Sequence, residues 1–191
     1  MPVVEEEGYE FDLPDERWFR FEDCETYQKL SSQHLKEMDF GWTVEGADGT
    51  AHQLWLLEAK NVRNEGAQRF SESTDGHRFV DVFVDELVCT FTDALLMVAA
   101  AWSATEVGTE LRSDILRTCR DFPSQPVPLF TVIALRIERV DTAPLYDLLR
   151  ARLQKQLEGR LNLLGSTGVF LAILRTDRPT TSLPIRVEPV G

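Results

Sequence analysis

Apolar and polar positions follow two periods along this chain. "MDFGWTV" (38–44) and "HQLWLLEAK" (52–60) alternate with period two, as half-buried strands do. They flank "ADGT" (47–50), whose Asp-Gly pair suits a type I′ turn, so the stretch predicts a β-hairpin. "RFEDCETYQKLSSQHLK" (20–36) places Tyr27, Leu30, His34 and Leu35 roughly on one helical stripe. Helices are also predicted at 80–102 and 106–120. In the segment 143–165, Leu145, Leu148, Leu149, Leu153, Leu157, Leu161 and Leu164 fall on one face, with Gly165 as C-cap. "VPLFTVIALRIERV" (127–140) and "GVFLAILRT" (168–176) read as strands, and residues 61–78 as a long polar, mobile loop. The order helix, hairpin, helices, strand, helix, strand predicts an α/β (α+β) fold, a central mixed β-sheet flanked by helices. The most apolar run (87–103) contains Asp93 and falls short of the roughly 20 apolar residues of a membrane span, so it reads as a core helix.

The hairpin also predicts its own register. With Asp48 and Gly49 as the turn, Trp42 faces Trp55, Phe40 faces Leu57 and Asp39 faces Glu58. Side chains alternate between faces, so Phe40, Trp42, Trp55 and Leu57 form an apolar pad, read as core packing rather than a base-stacking platform. Asp39, Glu58 and Lys60 share the other face. A one-residue slip would send Glu58 to the wrong side. Opposed carboxylates, with Cβ atoms about 5 Å apart, repel each other. A hard divalent cation, Mg²⁺ or Mn²⁺, relieves that repulsion and takes its remaining ligands from water and phosphate. Lys60 is one of only 4 lysines against 16 arginines, which suggests a role that a guanidinium does not fill. The plain alternative is a Glu–Lys pair at the solvent end of a strand.

The pattern "MDF", hairpin, "LWLLEAK", preceded by a helix and followed by helix and strand, resembles the PD-(D/E)xK nuclease superfamily. The resemblance covers roughly residues 20–137. Asp39 matches the first acidic position, preceded by Met38 rather than proline, and Glu58-Ala59-Lys60 matches the E-x-K. The resemblance implies a restriction-endonuclease-like sheet and Mg²⁺-dependent phosphodiester cleavage. Asp39 and Glu58 would be metal ligands, and Lys60 would be the group that orients or deprotonates water. Members often carry a glutamate on the preceding helix, for which Glu22 and Glu25 are both candidates. Arg63 and Arg69, in the loop after Lys60, are placed to contact phosphate. The implied partner is nucleic acid, DNA before RNA, met directly or through a partner protein.

Charge tempers this reading. Of the 191 residues, with net charge −12, ten acids and three bases fall in the first 30. Residues 1–19 therefore read as an acidic, irregular arm on a single domain spanning 20–191. The acidic balance argues against sequence-independent binding of a polyanion over the whole surface. It favours a second reading, a catalytically silent nuclease-like fold serving as a protein-interaction module or complex subunit. A homodimer is compatible with either. Three scattered cysteines and the absence of a basic, then apolar, leader predict a cytoplasmic protein with reduced thiols. Scattered histidines give no zinc spacing, and no P-loop, G-x-G-x-x-G or G-x-S-x-G occurs. The rim of the 143–165 helix carries Arg150, Arg152, Lys155 and Arg160, read first as a solvated face.

Overall fold

The computed structural model describes residues 2–31, 34–46, 51–62, 76–137, 143–163, 169–174 and 183–190. The Asp48–Gly49 turn, residues 63–75 of the loop with Arg63 and Arg69, and the Gly165 cap lie outside them. The elements in chain order are β1 (Val3–Glu6), β2 (Tyr9–Asp12), β3 (Trp18–Phe19), α1 (Glu25–Ser31), β4 (Phe40–Glu45) and β5 (Ala51–Val62). There follow α2 (Gly76–Ala101), α3 (Glu106–Ile115), β6 (Leu129–Ile137), α4 (Ala143–Leu163), β7 (Val169–Leu174) and β8 (Arg186–Pro189). The fold is α+β, and its central sheet has the order β3-β4-β5-β6-β7. The β3, β4 and β5 strands run antiparallel, whereas β5, β6 and β7 run parallel, so the sheet is mixed as expected.

The two faces of this sheet bury different partners. On one, Leu54, Leu56, Leu129, Ile133 and Leu135 pack against the helices. Helix α2 supplies Val80, Val84, Leu87, Phe91, Ala94 and Val98, an apolar stripe at three- and four-residue spacing. Helix α4 supplies Leu149, Leu153, Leu157 and Leu161, every fourth residue. Each such leucine, fully buried, contributes about 1.5–3 kcal/mol relative to exposure. The α4 rim meets α2, where Arg152 pairs with Asp81 and Gln156 with Asp85. No described helix is long and apolar enough to cross a membrane.

The other face carries Phe40, Trp42, Trp55, Leu57, Ala59, Val132 and Ala134 under a second, antiparallel sheet of order β1-β2-β8. Trp42 stacks on Trp55 (5.7 Å between ring centroids) and Trp55 on Phe130 (4.5 Å), so these tryptophans are core. This second sheet corrects the expectation of an irregular arm at 1–19. Tyr9, Phe11 and Leu13 are buried, with polar residues between them. Glu7 and Gly8, both at positive φ, form a two-residue turn from β1 to β2, and β2 pairs with β8 (Tyr9↔Pro189, Phe11↔Val187). Residues 3–13 thus form a strand pair whose Tyr9, Phe11 and Leu13 pack in the core.

Two helices are shorter than expected. The segment predicted helical at 20–36 forms α1 only over Glu25–Ser31, because Phe19 and Phe21 are drawn into the core. The 106–120 segment starts on Thr105, whose side chain accepts the Gly108 N–H, and stops at Ile115. Beyond it the chain turns to bridge the N-terminal segment, Arg17 against Cys119, with the Arg120 N–H donating to the Glu16 carbonyl. At Gly41 a Cβ would fall 2.5 Å from the Phe19 ring and 2.9 Å from Leu56, so only glycine lets β3 and β5 close over β4 there.

Candidate active site

The hairpin register is as read from the alternation. Phe40 pairs with Leu57, Gly41 with Leu56, Trp42 with Trp55 and Val44 with Gln53; the pairing shifts only at Glu45, through a bulge. Glu58 therefore extends the helix-facing row of Leu54 and Leu56, beside Ile133 of β6. It is 3% exposed. Lys60, one pleat further, is 39% exposed, and its Nζ lies 2.5 Å from Glu58 Oε1. Among the described residues Glu58 Oε2 has no hydrogen-bond partner.

Asp39 stands just before β4, at the end of the ladder. Its Oδ2 accepts the Ala59 N–H at 2.6 Å, in place of a strand partner. The segment leading to it is tied at three points. The Tyr27 hydroxyl meets the Leu35 carbonyl (3.1 Å) and the Glu37 carboxylate, the Lys36 N–H donates to Asp93 Oδ2 (3.0 Å), and Met38 is buried. So Asp93, the acid inside the most apolar run, helps hold the segment that carries Asp39.

Burial raises both carboxyl groups: Asp39 to about 6, against the opposing Ala59 hydrogen bond, and Glu58 to about 7, with the Asp39 charge adding to it. Lys60 lies above its ordinary value: burial would lower it, but the Glu58 and Asp39 charges outweigh that. Lys60 is therefore held in its charged form, while burial and mutual repulsion disfavour full ionisation of the Asp39–Glu58 pair.

Asp39, Glu58 and Lys60 line one cavity of about 450 Å³ between the sheet and α2. Three further acids, Glu6, Glu37 and Glu86, and two bases, Arg20 and Lys36, stand on its walls with Glu22. Arg20 spans Glu22 (2.6 Å) and Glu6 (3.2 Å). Glu6 belongs to the N-terminal segment, and nothing local in "VVEEEGYE" announces that it reaches this cavity; the β1–β2 pairing (Glu6↔Tyr9) and its ion pair with Arg20 place it there.

Of the two helix glutamates expected to assist, Glu22 is at the cavity wall, held by Arg20. Glu25 is not brought to the site, which corrects that expectation. Its carboxylate pairs with Arg117 at 2.9 Å and lines a separate surface depression beside α3. No three His, Cys, Asp or Glu side chains among the described residues gather closely enough to cage an ion unaided. A Mg²⁺-type ion needs only one or two carboxylates, with water and substrate phosphate completing its shell. Asp39 and Glu58, whose Oε2 has no hydrogen-bond partner among the described residues, are the residues here that could hold such an ion once ionised. Searches of protein-family profiles, curated proteins and solved structures return no match to this chain.

Proposed function

We propose that this chain is a Mg²⁺- or Mn²⁺-dependent phosphodiester hydrolase acting on nucleic acid, of the PD-(D/E)xK type. The observation that carries the reading is Glu58: a buried carboxyl group whose Oε2 has no hydrogen-bond partner among the described residues, next to Asp39, with the Lys60 ammonium lining the same cavity. An unsatisfied buried carboxylate is costly unless a ligand completes it. Asp39 and Glu58 would hold the ion. The ion would supply Lewis acidity toward a phosphoryl oxygen and make water a better nucleophile. Lys60, kept protonated by its two acidic neighbours, would orient that water and offset charge developing on the phosphate. Arg20 would steady a non-bridging oxygen once substrate competes for it with Glu6 and Glu22. The free thiols of Cys24, Cys89 and Cys119 suit a reducing, cytoplasmic setting.

The test is incubation with labelled single- and double-stranded DNA and RNA in Mg²⁺ or Mn²⁺, beside Asp39→Ala and Lys60→Ala. Cutting by the wild type, reduced at least about 100-fold in both variants, supports the reading. One observation favours the second reading, a silent interaction module. The described cavity lining carries six carboxylates against three cations, which repels a polyanion before any ion binds. No cutting by any form, with folding intact and no divalent cation bound, would leave that module standing.

A further inference from the structure

Resting on that hydrolase reading, the geometry also assigns a role to an acid outside the cavity lining. We infer that Asp93 of α2 is a positioning residue for Asp39: by fixing the Lys36 backbone it sets the Asp39 carboxylate against the Ala59 N–H of β5, and with it the affinity of the Asp39–Glu58 pair for a divalent cation.

Three observations lead there. The first is what supports Asp39. It stands one residue before β4, and residues 35–38 ahead of it belong to no helix or strand. No ladder fixes that approach, so the ties made by side chains decide where Asp39 lies. Among the described residues these are the Asp93 bond to the Lys36 N–H (3.0 Å), the contacts of the Tyr27 hydroxyl with the Leu35 carbonyl and the Glu37 carboxylate, and the burial of Met38. The three residues of chain from Lys36 to Asp39 span at most about 11 Å, which leaves little slack between the anchor and the carboxylate.

The second is the kind of tie. Among the described residues, Asp93 alone accepts a backbone N–H of this segment. A carboxylate–amide bond is charge-assisted and roughly twice as strong as a neutral one.

The third is placement. Glu86 and Thr90 of α2 line the cavity, and Asp93 follows them at helical spacing, one turn further along the same face. The helix that walls the cavity thus also grips the segment that carries Asp39.

The measurement has two readouts in the wild type, Asp93→Ala and Asp93→Asn. One is amide hydrogen exchange at Ala59, whose N–H is donated to Asp39 Oδ2, with Leu56 of the same strand as control. The other is the Mg²⁺ dissociation constant from calorimetry. We expect Asp93→Ala to speed Ala59 exchange about five-fold relative to Leu56 and to weaken Mg²⁺ binding by a similar factor, the size of one lost hydrogen bond. Asp93→Asn keeps an acceptor oxygen and should restore both. A merely structural role would speed Leu56 as much as Ala59. An Ala59 amide that keeps pace with Leu56, a Mg²⁺ affinity that does not move, or an Asp93→Asn no better than Asp93→Ala overturns the inference and leaves the hydrolase standing. A wild type that neither binds Mg²⁺ nor cuts nucleic acid defeats the hydrolase reading and this inference together.

Discussion

Glu58 and Asp114 are both buried carboxylates, 3% and 9% exposed, and the chain treats them in opposite ways. Asp114, near the end of α3, accepts the Thr26 N–H (2.8 Å) and the Thr26 hydroxyl (2.7 Å), and Arg117 stands 3.3 Å away. It thereby satisfies an orphan N–H in the first turn of α1 and fastens the two helices together. Burial alone would raise its pKa, but those hydrogen bonds and the nearby cation hold it below the ordinary carboxylate value. Glu58 has the Lys60 ion pair, a favourable contribution from the Asp39 backbone and, among the described residues, an Oε2 without a hydrogen-bond partner; burial and the neighbouring Asp39 charge outweigh these and raise it to about 7. Asp114 is saturated by its own fold; Glu58 is left less compensated at the wall of a cavity, and on the proposed function a divalent cation would complete it.

The sharpest way to break this contrast is activity. Glu58→Gln should lower phosphodiester cleavage by about 100- to 1,000-fold, while Asp114→Ala, measured per folded molecule, should change it less than about threefold. Equal losses would show that Glu58 is another structural carboxylate.

Next comes pH. The fold raises the Glu58 pKa, so its contribution to stability is complete below about 4.5 and is lost as pH rises through about 7. That amounts to about 3 kcal/mol in cation-free buffer. Asp114 has the opposite sign. Its contribution is present above the ordinary value of 3.8 and disappears as pH falls through its lower folded value. Urea unfolding of the cation-free protein from pH 3 to 8 should therefore show maximal stability near pH 4–5. A profile rising steadily to pH 8 would contradict the assignment.

At fixed pH 8 without divalent cations, Asp114→Ala should cost about 2–3 kcal/mol, since it strands the Thr26 donors. Glu58→Gln should stabilise by about 2 kcal/mol, since it removes a poorly compensated buried charge. Two destabilised variants would erase the distinction.

The smallest effect is ligand-linked. Mg²⁺ at ten times its dissociation constant should raise stability by about 1.4 kcal/mol in the wild type. Calorimetry should find no such gain in Glu58→Gln and an undiminished one in Asp114→Ala.

Much of the site was legible because hairpin geometry is local. Alternation at period two puts Asp39, Glu58 and Lys60 on one face, and Phe40 pairs with Leu57 as read, although the pair nearest the turn, Glu45 with Ala51, is one residue out of that count. The strands and long helices were legible for the same reason: their apolar stripes repeat at the period of the element. The N-terminal strands were also partly written, in Tyr9, Phe11 and Leu13 alternating with Glu10 and Asp12 around a Glu-Gly turn. Ten acids among the first 30 residues obscured that alternation.

By itself, then, the sequence determined the hairpin and its register, the long helices, the strands around 127–140 and 168–176, and the shared face of three charged residues, because each depends on neighbours within one turn or one pleat. Tertiary structure alone decided that Glu6 joins the cavity, that Glu25 turns away to Arg117, that Asp93 holds Lys36 and that Asp114 fastens Thr26. Those outcomes depend on contacts between residues tens of positions apart in the chain, and the free energy of such a contact is set by burial and by competing partners, which no local spacing encodes.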